Sequence, residues 1–67
     1  MNFPKQIKYV RKQLGFSQKE MADALNVSFA TINRWENAKV NPSNLAQRTF
    51  YDFCKKNSFK EDVLRRL

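Results

Sequence analysis

The segment NVSFATINRW, residues 26–35, holds the side chains best placed to do chemistry. At about 100° per residue, Ile32 and Trp35 fall on one side of a helix. Phe29, Ala30, Asn33, Arg34 and then Asn37 fall on the other. A small domain ordinarily fills such an outward face with lysine and glutamate. Here it is made of small or planar groups with a single charge, Arg34. A guanidinium fork matches the O6 and N7 acceptors of guanine, and an amide such as Asn33 matches the N6 and N7 of adenine. Phe29 and Ala30 are limited to apolar contact, as with a thymine methyl. The face therefore suits base edges in a DNA major groove. Phe29 keeps a second reading, as a side chain packed down onto the preceding helix. Trp35 lies on the Ile32 side and is read as core.

Five short helices must position this face. Pro4 suits the first position of helix one, where its missing N–H is not needed. Phe3, Ile7, Val10 and Leu14 then follow a three-four spacing that ends near Gly15. Ser17 begins a capping box, with Glu20 three residues on to reach back to the cap. Met21, Ala22 and Leu25 form the apolar face of helix two, and Asn26 stops it in a left-handed conformation. Ser28 caps helix three, which runs to about Asn37. Pro42 and Ser43 open helix four, with Leu45, Ala46, Phe50 and Phe53 on one side and an end near Asn57. The stretch SFKE at 58–61 repeats the capping-box pattern, and Phe59, Val63 and Leu67 are apolar in helix five. The predicted core is Ile7, Val10, Leu14, Met21, Leu25, Ile32, Trp35, Leu45, Phe50 and Phe53.

The turn LNVS between helices two and three is too short for an antiparallel pair, so the two must cross steeply as a helix-turn-helix. Ala22 supplies the small residue that a close crossing needs.

Composition narrows the partner. The 67 residues make one domain with one small core, and at 42% hydrophobic the chain is too apolar for a disordered tail. Thirteen Lys and Arg against six Asp and Glu give +7, which favours a polyanion. Residues 1–17 contain Lys5, Lys8, Arg11 and Lys12 with no acid, residues 18–41 balance, and residues 42–67 have three more bases than acids. The reading face thus lies in a neutral stretch between basic ones. Without histidine, and with Cys54 as the single cysteine, neither a nucleophilic dyad nor a metal cluster is available, so no enzyme, cofactor or metal is expected. A lone cysteine and no apolar run of membrane length suit the cytoplasm. No small-molecule ligand is evident.

Residues 14–43, LGFSQKEMADALNVSFATINRWENAKVNPS, resemble the XRE family of helix-turn-helix regulators, the lambda-repressor and Cro-like DNA-binding domains. The resemblance rests on Gln18, the Ala22 contact, the turn, Ile32 and the RWENAK exit. It implies an all-α, compact five-helix fold with the helix-turn-helix at helices two and three, and a bacterial or phage transcriptional regulator of repressor type. It further implies that Phe29, Ala30, Asn33 and Arg34 read bases. Gln18 would hold a phosphate beside the dipole of its helix N-terminus, joined in backbone binding by Ser28, Asn37, Lys39 and Arg11. Arg11 and Glu36 look like the family's buried arginine–glutamate pair, a structural role compatible with a phosphate contact from Arg11.

The chain departs from the family pattern at three positions. Asn26 and Ala38 stand where glycine is usual, and Asn44 replaces a basic residue that some relatives send into the minor groove. A left-handed alanine costs roughly 1–2 kcal/mol, so either the backbone turns differently at Ala38 or the domain accepts the strain.

Two copies on half-sites about one DNA turn apart are expected, because one recognition helix spans few base pairs. Phe59, Val63, Leu64 and Leu67 exceed what a short terminal helix needs for its own core, which points to a partner chain or a following domain. The 67 residues are accordingly read as one DNA-binding domain, either by itself or as the N-terminal part of a longer protein. The rival reading is a helical protein-interaction module that kept this fold without binding DNA.

Overall fold

The computed structural model describes residues 2–67 and contains five α-helices among them. They are α1 (Phe3–Gln13), α2 (Gln18–Leu25), α3 (Phe29–Glu36), α4 (Asn44–Lys56) and α5 (Glu61–Arg65). The all-α, five-helix architecture expected from the sequence is the one observed.

The helix starts follow local side-chain chemistry. Asn2 caps α1 by accepting from the Lys5 N–H at 3.1 Å, which places Pro4 second rather than first in the helix. Ser17 and Glu20 close a full capping box, at 3.0 and 2.8 Å. Ser28 and Ser43 cap α3 and α4 by accepting from the N–H of Thr31 and Ala46. Each such cap satisfies one of the amides that a helix start leaves unpaired.

Four helices stop by one device. Gly15, Asn26, Ala38 and Ser58 all take positive φ, at 70°, 58°, 55° and 64°. In each case the next residue's N–H reaches back over a full turn: Phe16 to Arg11 O, Val27 to Ala22 O, Lys39 to Arg34 O and Phe59 to Cys54 O. These are Schellman closures. The residue after the stop is apolar three times, and only α3 is followed by a charge, Lys39. Ala38 is thus genuinely left-handed, and the domain accepts the strain.

Ser58 corrects the expected second capping box. Because it serves as the left-handed stop of α4, it cannot also take the extended conformation of a helix cap. Lys60 occupies that position on α5 and makes no side-chain cap bond.

The core is built from Phe3, Ile7 and Val10 of α1, Met21, Ala22 and Leu25 of α2, Ile32 and Trp35 of α3, Phe50 and Cys54 of α4, and Leu64 of α5. Phe3 makes edge-to-face contacts with Trp35 at 5.4 Å and Phe50 at 5.2 Å, joining three helices in the arrangement that aromatic quadrupoles favour. Ala22 is buried in the core, and α2 and α3 pack against each other.

Three expected core residues lie further out. Leu45 is 73% exposed, because in the first turn of α4 it is the neighbouring Ala46 that packs against the core. Leu14 and Phe53 are half-buried at the core's edge. Conversely, buried Gln6 joins three helices, donating to the Leu64 carbonyl at 2.9 Å and accepting from the Tyr51 hydroxyl at 3.0 Å. The apolar surplus at the C-terminal end is largely used within the chain. Leu64 is buried, Phe59 meets the Tyr9 ring at 6.4 Å, and Leu67 packs against the core. Phe59, Val63 and Leu67 remain partly exposed.

Candidate nucleic-acid interface

Helix α3 has two unlike sides. Ile32, Trp35 and Glu36 are buried, whereas Phe29, Ala30, Arg34 and Asn37 are exposed. Phe29 is 53% exposed, so packing onto α2 does not hide it. Arg34 is exposed and makes no side-chain hydrogen bond among the described residues, which leaves its fork open to solvent. Asn33 is half-buried and differs from its neighbours in being bonded on both sides.

Besides the core packing of Ile32 and Trp35, an ion pair ties α3 to α1. Arg11 Nε donates to Glu36 Oε2 at 2.6 Å, and Nη2 donates to Oε1 at 3.0 Å. Nη1 donates to the Phe16 carbonyl at 3.0 Å, which adds the α1–α2 turn to the same clamp. The hydrogen bond to Glu36 raises the Arg11 pKa still further, and burial only partly opposes it. The Glu36 side chain is 2% exposed and the Arg11 side chain 16%. Arg11 is thus foremost a tie between helices, with little of its guanidinium facing outward.

The same carboxylate starts a chain of amides. Gln18 Nε2 donates to Glu36 Oε1 at 3.2 Å, Asn33 Nδ2 donates to Gln18 Oε1 at 3.3 Å, and Asn37 Nδ2 donates to Asn33 Oδ1 at 3.1 Å. Gln18, at the first position of α2, is therefore joined directly to α3. Asn33 and Asn37 are four residues apart on one side of a helix, so their contact could have been read from spacing. The bond from Gln18 across to Asn33 could not, since it depends on how α2 and α3 cross.

The remaining expected contacts sit around this face. Ser28 is committed to its cap, with its hydroxyl 2.8 Å from that of Thr31. Lys39 follows the α3 stop and is exposed, and the exposed cations Arg34 and Lys39 lie at the negative end of the α3 dipole.

This pair of helices, with its steep turn and clamped second member, has a counterpart among known families. Residues 7–45, more than half of the chain, match the family model described as Helix-turn-helix. The chain belongs to the XRE-type helix-turn-helix family. In this helix-turn-helix protein the match begins at Ile7 within α1, covers α2 and α3 entirely and ends in the first turn of α4. Membership makes it a DNA-binding helix-turn-helix regulator. No curated protein and no solved structure matches it. No helix among the described residues is long and apolar enough to cross a membrane.

Proposed function

We propose that the protein is a sequence-specific regulator of repressor type that binds double-stranded DNA with α3 in the major groove. Phe29, Ala30, Asn33 and Arg34 read base edges, while Gln18, Ser28, Asn37, Lys39 and the exposed edge of Arg11 hold the phosphate backbone. Phosphate contacts position the protein and base contacts specify the site. The observation that carries this reading is the outward face of α3, whose one charged group is the unpaired fork of Arg34. The residues form a single domain of a bacterial or phage regulator that acts in the cytoplasm, without cofactor, metal or catalytic chemistry. Two copies bind half-sites about 34–36 Å apart, which one short recognition helix needs for useful specificity.

Selection from a random DNA library tests the assignment. The preferred half-site contains a guanine opposite Arg34, flanked by A·T pairs nearer the start of α3. Arg34→Ala costs about 1–3 kcal/mol on that site and relaxes the preference at that one position. It costs much less on random DNA, where only long-range charge is lost. Arg34→Lys separates the fork from the charge, because lysine lacks the rigid bidentate geometry. Equal weakening on selected and random DNA would make Arg34 a phosphate ligand and overturn its reading role. Sedimentation on DNA with a paired site tests the two-copy arrangement, and a strict monomer there would refute it.

A further inference from the structure

We propose that Gln18 is a positioning residue which, anchored on the Glu36 carboxylate, fixes the amide of Asn33 so that it distinguishes an A·T pair from a T·A pair. The inference rests on the reading of Asn33 as a base contact. It begins from the one member of the network whose polarity is fixed by chemistry. An ionised carboxylate accepts hydrogen bonds and cannot donate them. Glu36 is buried and bound by Arg11, so Gln18, 3.2 Å away, must turn its NH2 toward it. The Gln18 oxygen then faces away and can only accept, so Asn33 must present its NH2 to Gln18 at 3.3 Å. The Asn33 oxygen is left to accept from Asn37 at 3.1 Å. Donor and acceptor order thus passes from a buried charge through two amides to an outward helix face.

The consequence for recognition is directional. After these bonds Asn33 retains one N–H and one oxygen lone pair for a ligand, in an order it cannot reverse by flipping. Across the major groove an A·T pair presents N7, N6–H2, O4 and the methyl in sequence, and T·A presents them in the opposite sequence. A free amide can flip to match adenine on either strand. A pinned amide matches one strand only.

The test compares affinities for DNA duplexes that differ only in the orientation of the A·T pair under Asn33. That pair is the position whose preference Asn33→Ala removes. The unmodified protein favours one orientation by about 5- to 150-fold, the range of a good bidentate contact. Gln18→Met breaks both relay bonds and brings this ratio below about threefold, while the preference under Arg34 stays. Gln18→Glu lowers the ratio as well, because a carboxylate cannot donate to Glu36 and so loses the anchor that holds an acceptor toward Asn33. An unchanged ratio in Gln18→Met, with the preference still lost in Asn33→Ala, overturns the relay and leaves the base-reading role standing. No lost preference in Asn33→Ala overturns both. Amide NMR of the unmodified protein gives an answer independent of variant folding. The relay requires an Asn33 NH2 proton whose exchange with solvent is slowed by its bond to Gln18, and exchange as fast as that of a free amide overturns it.

Discussion

Arg11 Nε lies 2.6 Å from Glu36 Oε2, and the bond joins the last turn of α1 to the last residue of α3. The pair ties α3 to α1 across the bundle. It also supplies the buried charge from which the Gln18 and Asn33 amides take their orientation.

Removing one partner strands the other. Arg11→Met or Glu36→Leu alone should cost about 3–5 kcal/mol, because a buried charge is left without compensation. The double variant should recover much of that loss, since two packed apolar residues often replace a buried pair at little cost. Urea unfolding of both singles and the double checks this, and a double variant as unstable as the sum of the singles would contradict it.

Ala38 offers a stabilising change. Its φ of 55° carries strain that glycine would not feel. Relief of roughly 1–2 kcal/mol, less about 0.5–1 kcal/mol for the greater freedom of unfolded glycine, leaves a net gain of about 0–1.5 kcal/mol for Ala38→Gly. Thermal melting should rise by roughly 4–8 °C per kcal/mol gained. Asn26→Gly should gain less, because asparagine already tolerates this conformation.

Cys54 makes stability pH-dependent on the alkaline side. Burial pushes its thiol from 9.0 up to about 12, and burial also raises Tyr51. The folded chain therefore holds these protons more tightly than the unfolded chain. For Cys54, stability is intact below 9.0 and declines as the pH rises from there toward 12. Urea midpoints followed from neutral pH upward should fall more gently in Cys54→Ala. Thiol labelling of the unmodified protein should occur at the rate of unfolding, whereas fast labelling of the folded chain would contradict the burial.

Lys39 separates positioning from reading. Lys39→Ala should weaken binding to selected and random DNA alike and lower the salt slope by about one unit, the signature of one lost phosphate contact. Fluorescence titrations across a salt series measure this. A changed sequence preference would instead place Lys39 among the base contacts.

Much of this was legible along the chain because it depends on neighbours within one helical turn. Ser17 with Glu20, Ser28, Ser43, Gly15 and Asn26 mark their helix boundaries through local hydrogen bonds and φ preferences, and three-four spacing separates Ile32 and Trp35 from Phe29, Ala30 and Arg34. The Arg11–Glu36 pair was accessible only through the family pattern. Other features depend on where whole helices lie. Leu45 has the same local pattern as a core residue, but the way α4 sits against the bundle turns Ala46 to the core and leaves Leu45 exposed. Ser58 has the sequence of a cap, but closing α4 takes its conformation first. Gln6 reads as an ordinary polar residue until α4 and α5 bring Tyr51 and the Leu64 carbonyl to it. The bond between Gln18 and Asn33 spans fifteen residues and exists because α2 and α3 pack against each other. Sequence alone thus set the helices and their faces, since those are local free-energy choices. Packing decided which polar groups meet, because that requires the helices' relative placement in space.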